Sequence, residues 1–337
     1  MPDARRAAIA RSTIAAGAAF VAVCLFAVQC GSTPTSPTPS PSPTPTVPDP
    51  NQGPTTPPIT SGPVLFSGAG DIGDCEGNPE GTARLLDNIG GQFFTVGDNA
   101  YMNGTASDFQ RCYGASWGRH LARTYPTPGN HDYGDDTRNE ANAYFDYFGS
   151  NAGPRGQGWY SFDYGAWHII ALNSNFATGT NGRGPNVGVL PGSPQYNWLA
   201  GDLQANHSRC TLAYWHHPLF TSGNNGPSGS MRAIFQLLYD NNADLVVNGH
   251  DHTYERFAPQ APDGRPDAAR GIREFIVGTG GQHGLTTRQT SASNSERFIQ
   301  GQYGILKLTL NTDSYSYEFI SVNGGVLDAS SAPVACH

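Results

Sequence analysis

The chain has 337 residues, with 27 Asp and Glu against 19 Lys and Arg, and a formal net charge of -8. Lys307 is its only lysine. So acidic a composition excludes the broad basic patches that hold nucleic acid or anionic membrane surfaces, and it leaves the oligomeric state open.

Arg5, Arg6 and Arg11 precede an apolar run from Ile14 to Val28, the pattern of an export leader over residues 1–30. The run is short and poorly flanked for a membrane span. Cys30 closes it and is followed by Gly31-Ser32, similar to a bacterial lipoprotein processing site, although Ala27-Val28-Gln29 lacks the usual small residue before the cysteine. Lipidation of Cys30, plain leader cleavage and an uncleaved anchor all fit, with Cys24 a weaker rival for the lipid. Export to the periplasm, cell surface or medium is expected, and membrane contact only through this N-terminus. Residues 31–62 alternate Thr, Ser and Pro, which cannot bury a core and read as a disordered, extended tether. Residues 63–337 are long enough for one well-buried domain.

Past the leader stand Cys75, Cys112, Cys210 and Cys336, an even number suited to disulfides in an oxidising compartment. Cys75 and Cys112 each follow an acidic turn, so neighbouring loops are expected to join them, leaving Cys210 to tie down Cys336.

Short apolar runs then end, one after another, in turns carrying polar side chains. Val64–Gly70 ends at Asp71, Gln92–Val96 at Gly97-Asp98, Thr211–Trp215 at His216 and Ala243–Asn248 at Gly249-His250. Each run reads as a buried strand. Helical patterns lie near Gly81–Asn88, Gln195–Asn206 and Ser230–Asp240, and alternation of strand and helix predicts an α/β fold. Strands near Arg273–Val277, Gly304–Leu310 and Ser314–Ser321 suggest a second sheet built from the tail. Polar residues at the carboxyl ends of strands are where open α/β sheets place their sites.

Five blocks carry these residues: Gly70-Asp71-Ile72-Gly73, Gly97-Asp98-Asn99-Ala100-Tyr101, Gly129-Asn130-His131-Asp132, Trp215-His216-His217-Pro218 and Gly249-His250-Asp251-His252. Taken singly, each is more often a turn or a capping residue than a ligand. Together they supply Asp, Asn, Tyr and His donors that suit iron, zinc or manganese, enough for two ions with one imidazole left for proton transfer.

In this order the blocks resemble the calcineurin-like metallophosphoesterases over about residues 64–325, and specifically their purple acid phosphatase branch. The opening Asp71-Ile72-Gly73, in place of an Asp-x-His pair, and Tyr101 three residues after Asp98 both point to that branch. The resemblance implies a four-layer αββα sandwich and hydrolysis of small phosphomonoesters. It implies that Asp71, Tyr101 and His252 bind one metal, Asn130, His216 and His250 a second, and that Asp98 bridges them, its two oxygens serving two ions. A phenol of ordinary pKa about 10 ionises readily only beside a strong Lewis acid, so Fe(III) is expected at the Tyr101 position, with Fe(II), Zn or Mn at the other. Two such ions clamp a phosphoryl group and generate hydroxide near neutral pH. His131, not itself a ligand in this scheme, is expected to protonate the leaving oxygen or steady a phosphate oxygen. Asp132 is expected to hold an imidazole or a loop amide, or simply to cap the turn.

Other residues are ambiguous. His217 either packs or contacts substrate, and Asn225 lies where plant members of the branch carry paired histidines. His283, in the glycine-rich run Gly278–Gly284, is either a turn residue or part of the mouth, and His168 reads as a core strand residue. Rival functions are a phosphodiesterase or nucleotidase on the same scaffold, and a non-catalytic module that captures phosphate or a partner.

Overall fold

Each of the apolar runs that ends in a polar block becomes a parallel strand in the computed structural model, and the blocks fall at one end of two facing sheets. The structure describes residues 54, 56–57, 62–134, 140–175 and 188–337. The expected leader, Cys30 and nearly all of the tether lie outside the described residues. The chain divides into Met1–Pro45 and Thr46–His337, and every element below belongs to the second unit.

In chain order the strands are β1 (Val64–Ala69), β2 (Gln92–Val96), β3 (Thr124–Thr127), β4 (Tyr160–Tyr164), β5 (Trp167–Ala171), β6 (Cys210–Tyr214) and β7 (Leu245–Asn248). They continue with β8 (Tyr254–Phe257), β9 (Arg273–Val277), β10 (Ser295–Ile299), β11 (Gly304–Leu310), β12 (Ser314–Ser321), β13 (Val326–Ala329) and β14 (Val334–Ala335). One sheet runs β13-β12-β11-β1-β2-β3, with β14 beside β12; the other runs β10-β8-β9-β7-β6-β5-β4. Strands β1, β2 and β3 are mutually parallel, as are β5, β6, β7 and β9, while the outer strands are antiparallel. The tail does not form a sheet of its own, contrary to the sequence expectation. Strand β9 enters one sheet beside β7 and β11 the other beside β1, each extending the edge of a parallel strand, and β12 then pairs with β11.

Period-two alternation explains the layering. Along β6 and β7, Leu212, Tyr214, Leu245 and Val247 face the core between the sheets, whereas Ala213 and Val246 face a second core. That second core is closed by the helices Pro194–Ala205 and Arg232–Asp240 through Leu199, Leu203, Ile234, Phe235 and Leu238. The helix Pro79–Asp87 covers the other sheet with Ala83 and Leu86. The result is helix, sheet, sheet, helix. Between the sheets Phe66 sits 5.0 Å from Phe94, 5.8 Å from Tyr214 and 6.2 Å from Phe162, measured between ring centroids. Cys75 pairs with Cys112 and Cys210 with Cys336, as expected from their order; the second closes a separation of 126 residues.

Candidate metal centre

Strand ends supply the side chains. Asp71 lies just beyond β1, Asp98 just beyond β2, Asn130 beyond β3, His216 beyond β6 and His250 beyond β7, with Tyr101 and His252 in the turns that follow. Three of these residues leave their strands through the left-handed region, Asp71 at φ 59°, Asp98 at φ 50° and His250 at φ 70°. Such a conformation costs a non-glycine residue roughly 1–2 kcal/mol and persists where the surroundings impose it. Here it folds the chain back at the sheet edge, and His250 N–H donates to Asp71 Oδ2 at 2.9 Å across the gap between the sheets. The flanking glycines are required by close approach: a Cβ on Gly249 would meet Asp71 Oδ2 at 2.6 Å, and one on Gly129 would collide with Asp98.

Two groups of donors result, and they share one carboxylate. Tyr101 Oη lies 2.8 Å from Asp71 Oδ1, 3.0 Å from Asp98 Oδ2 and 3.3 Å from His252 Nε2. His216 Nε2 lies 3.1 Å from Asn130 Oδ1, 3.2 Å from His250 Nδ1 and 3.2 Å from Asp98 Oδ2. All seven residues expected as ligands therefore converge, and the donor atoms of Asp71, Asp98 and His216 also lie within 4.8 Å of one another. One detail differs: a single oxygen of Asp98, Oδ2, faces both groups, because Oδ1 accepts the N–H of His131 at 2.7 Å.

The other edges of the imidazoles are fixed. His216 Nδ1 donates to Val96 O and His252 Nδ1 to Gly284 O, each at 2.8 Å, which turns both Nε2 atoms into the centre. Burial opposes charge on His216, but the Asp98 carboxylate more than offsets it and its imidazole sits up at about 9; Asp71 does the same for His252, also at about 9. His250 is pushed down to about 4 by burial and by His216. Burial and the Asp71 and Asp98 carboxylates drive the Tyr101 phenol well above 10.

The donor set fits cations. Asp71 and Asp98 are buried, and among the described residues no lysine or arginine pairs with either. Without a metal the charges of Asp98 and Asp71 are met by the imidazoles of His216 and His252; a bound cation would take the place of those protons and find two carboxylates, an amide oxygen, three imidazoles and a phenol as donors.

The remaining residues fall around this centre. His131 Nδ1 lies 2.6 Å from Met102 O, its ring is 4.4 Å from that of Tyr101, and its Nε2 is 4.0 Å from Asp98 Oδ2. Asp132 is buried and accepts the N–H groups of Asn99, Ala100 and Gly129, so it binds loop amides and locks the second block to the third. Burial and the Asp98 carboxylate raise its carboxyl to about 7. His217 packs against the centre, its ring 4.4 Å from that of His250, with Nδ1 and its own N–H on Ser174 Oγ at 2.8 and 2.9 Å. Asn225 donates through Nδ2 to His250 O at 2.7 Å. His283 is not among the converging donors; it pairs with Asp74. His168 is buried, yet it lies between Asp163 and Asp202, a polar network rather than apolar packing.

Sequence reading missed Asp251, Glu255 and Glu274. All three are buried and hold the loop after His216: Asp251 accepts from Thr221 and Asn225, Glu255 from Ser222, and Glu274 from the N–H of Leu219. Glu255 and Glu274 lie on the strand faces opposite Tyr254 and Phe275, which face the inter-sheet core, so alternation reads them as outward, and only the loop after His216 buries them.

The chain belongs to the calcineurin-like phosphoesterase family, whose description matches residues 68–254, more than half of its length. Within it the chain is similar to purple acid phosphatases. It is 30% identical over 226 residues to Purple acid phosphatase 21 of Arabidopsis thaliana, covering 60% of this chain and 47% of that protein. To Purple acid phosphatase 15 of the same plant it is 28% identical over 234 residues, covering 58% and 41%. The chain thus spans about half the length of these curated relatives. Purple acid phosphatase PPD1 from yellow lupin seeds shares the fold with a TM-score of 0.66 at 19% identity, over 81% of this chain and 54% of that one. GAP50, described as the anchor in the inner membrane complex of Plasmodium, shares it at 0.62 and 15% identity, over 82% and 90%.

Proposed function

We propose that residues 63–337 form the catalytic domain of an exported, metal-dependent hydrolase of small phosphomonoesters, similar in chemistry to purple acid phosphatases. The observation that carries this reading is the pair of donor groups meeting at Asp98 Oδ2. Asp71, Tyr101 and His252 would hold one cation, Asn130, His216 and His250 a second, and Asp98 would touch both. When bound, two such cations would polarise the phosphoryl oxygens and make water acidic enough to attack near neutral pH. The phenol of Tyr101 favours Fe(III) in the first group; Fe(II), Zn or Mn suits the second.

The chain's own residues do the rest. Asp132 keeps the Asn99 and Gly129 turns in register, so that Asp98 and Asn130 stay aimed at one another. His131 is hung by its amide from Asp98 Oδ1 and by Nδ1 from Met102 O, which leaves Nε2 to carry a proton to the departing alcohol. Ser174 sets the edge of His217, and Asn225 steadies the turn of His250.

A phosphodiesterase or nucleotidase would need the same centre and a groove open on both sides of the phosphorus. A non-catalytic module is disfavoured by His131, which a pure binder does not need. Metal analysis of the purified chain with a panel of mono- and diesters tests the reading. Two metals per chain with turnover of monoesters is expected, and a metal-loaded chain that cleaves no phosphate ester would reject it. Export is supported by the leader pattern and by the two disulfides, which suit an oxidising compartment. The mass of the mature N-terminus distinguishes a lipid on Cys30 from plain cleavage.

A further inference from the structure

The loop Gly278–Gly284 runs along the rim of the donor groups. Gln282 N–H donates to Asp71 O at 2.9 Å, and Gly284 O accepts from His252 Nδ1 at 2.8 Å. His283 therefore stands between two residues that each hold a member of the centre. Its side chain is 49% exposed, while that of Asp74, its partner, is 6% exposed. Asp74 Oδ2 lies 2.5 Å from His283 Nδ1 and accepts the His283 N–H at 3.1 Å; Oδ1 accepts the N–H of Glu76 at 2.9 Å. Burial opposes charge on Asp74, and the N–H groups of Glu76 and His283 outweigh it, so its carboxyl is held below the ordinary range. The disulfide Cys75–Cys112 staples the turn next to it.

A glycine-rich turn needs only its backbone contacts to hold. The carboxylate at Nδ1 adds something else: it fixes the ring and its orientation, leaving Nε2 without a partner among the described residues. A fixed imidazole backed by a carboxylate makes charge-assisted hydrogen bonds to oxyanions. His131 differs, since a neutral carbonyl rather than a carboxylate holds its ring.

We propose that His283, positioned by Asp74, is an outer anion subsite that takes a second phosphate group carried on the leaving group of the ester. The subsite gives the chain a preference for bisphosphorylated substrates. It rests on the phosphoesterase reading for the place where the first phosphate sits.

The test is calorimetric binding of two non-hydrolysable probes, propane-1,3-bisphosphonate and propylphosphonate, to the full chain as purified. In the wild type the ratio of their affinities is expected to exceed the statistical factor of about 2 by roughly 10- to 100-fold, the worth of one charge-assisted hydrogen bond. In His283→Gln the ratio should collapse to the statistical factor. Asp74→Asn loses the charge and keeps one acceptor oxygen, enough for the Glu76 N–H or the His283 N–H but not both; it should give an intermediate ratio and lose the low-field proton resonance of the His283 Nδ1–H. A wild-type ratio in His283→Gln, or no preference in the wild type, overturns the subsite. A wild-type ratio in Asp74→Asn with that resonance gone overturns the positioning role. If the wild type cleaves no monoester yet shows a ratio that His283→Gln abolishes, the phosphoesterase reading falls and the anion subsite stands.

Discussion

His131 donates its backbone N–H to Asp98 Oδ1 at 2.7 Å, so the imidazole beside the centre hangs from the one carboxylate that both donor groups share. Any movement of Asp98 is thereby felt at both donor groups and at the His131 imidazole together. Loss of Asp98 should act on both.

Asp98→Ala is expected to reduce bound metal from two per chain to less than one and to abolish phosphomonoesterase turnover, with the fold retained. The fold is retained because Asp98 lies in the turn beyond β2 and makes no part of the inter-sheet core. Elemental analysis with circular dichroism checks it, and retention of both metals would reject the shared role. Gly129→Ala should mimic the metal loss, since its Cβ would displace the same carboxylate.

His131→Ala should leave metal content intact and lower turnover by roughly 10²–10⁴-fold, the usual contribution of general acid–base groups. The loss should be smaller for an activated aryl ester than for an alkyl ester, because a weakly basic leaving group needs less protonation. Equal losses on the two esters would show that His131 is not the proton donor.

Tyr101 predicts colour. If its phenol ionises on Fe(III), the purified protein has a broad visible charge-transfer band, and Tyr101→Phe bleaches it while Asp71, Asp98 and His252 still retain iron. A colourless wild type with stoichiometric zinc or manganese would remove iron from the assignment without removing phosphoester hydrolysis.

Glu274 predicts a pH dependence of stability remote from the metals. Burial raises its carboxyl from 4.5 to about 8, only partly offset by the N–H groups of Leu219 and Phe220, and its buried Oε2 has no hydrogen-bond partner among the described residues. A folded-state pKa above the unfolded one contributes stability below pH about 4.5 that is lost as pH rises through about 8. Glu274→Gln cannot ionise, so its advantage over the wild type should grow from near zero at about pH 4 towards a maximum above about pH 8, on the order of 5 kcal/mol. Thermal unfolding of both proteins across that range measures it; parallel curves would reject the shift.

The order of the five blocks, the strand before four of them and the pairing of cysteines were all readable along the chain, because each depends on local signals. Apolar runs of strand length mark β1, β2, β6 and β7, and the turn residues after them mark where side chains must leave the sheet. The grouping of Asp71, Tyr101 and His252 apart from Asn130, His216 and His250 came from a motif resemblance; the structure gathers all six around Asp98. Tertiary structure alone decided the rest. Strand pairing is non-local, so nothing near β9, β11 or β12 says which of two open edges each will join. It was also the approach of the third block to the second that gave Asp98 Oδ1 to the amide of His131 and left one oxygen for both donor groups. Likewise Asp74 and His283, 209 residues apart, meet only because the loop after β9 folds over the turn after β1. Hydrophobic pattern sets which residues are buried; which buried polar groups then find one another depends on how the two sheets close.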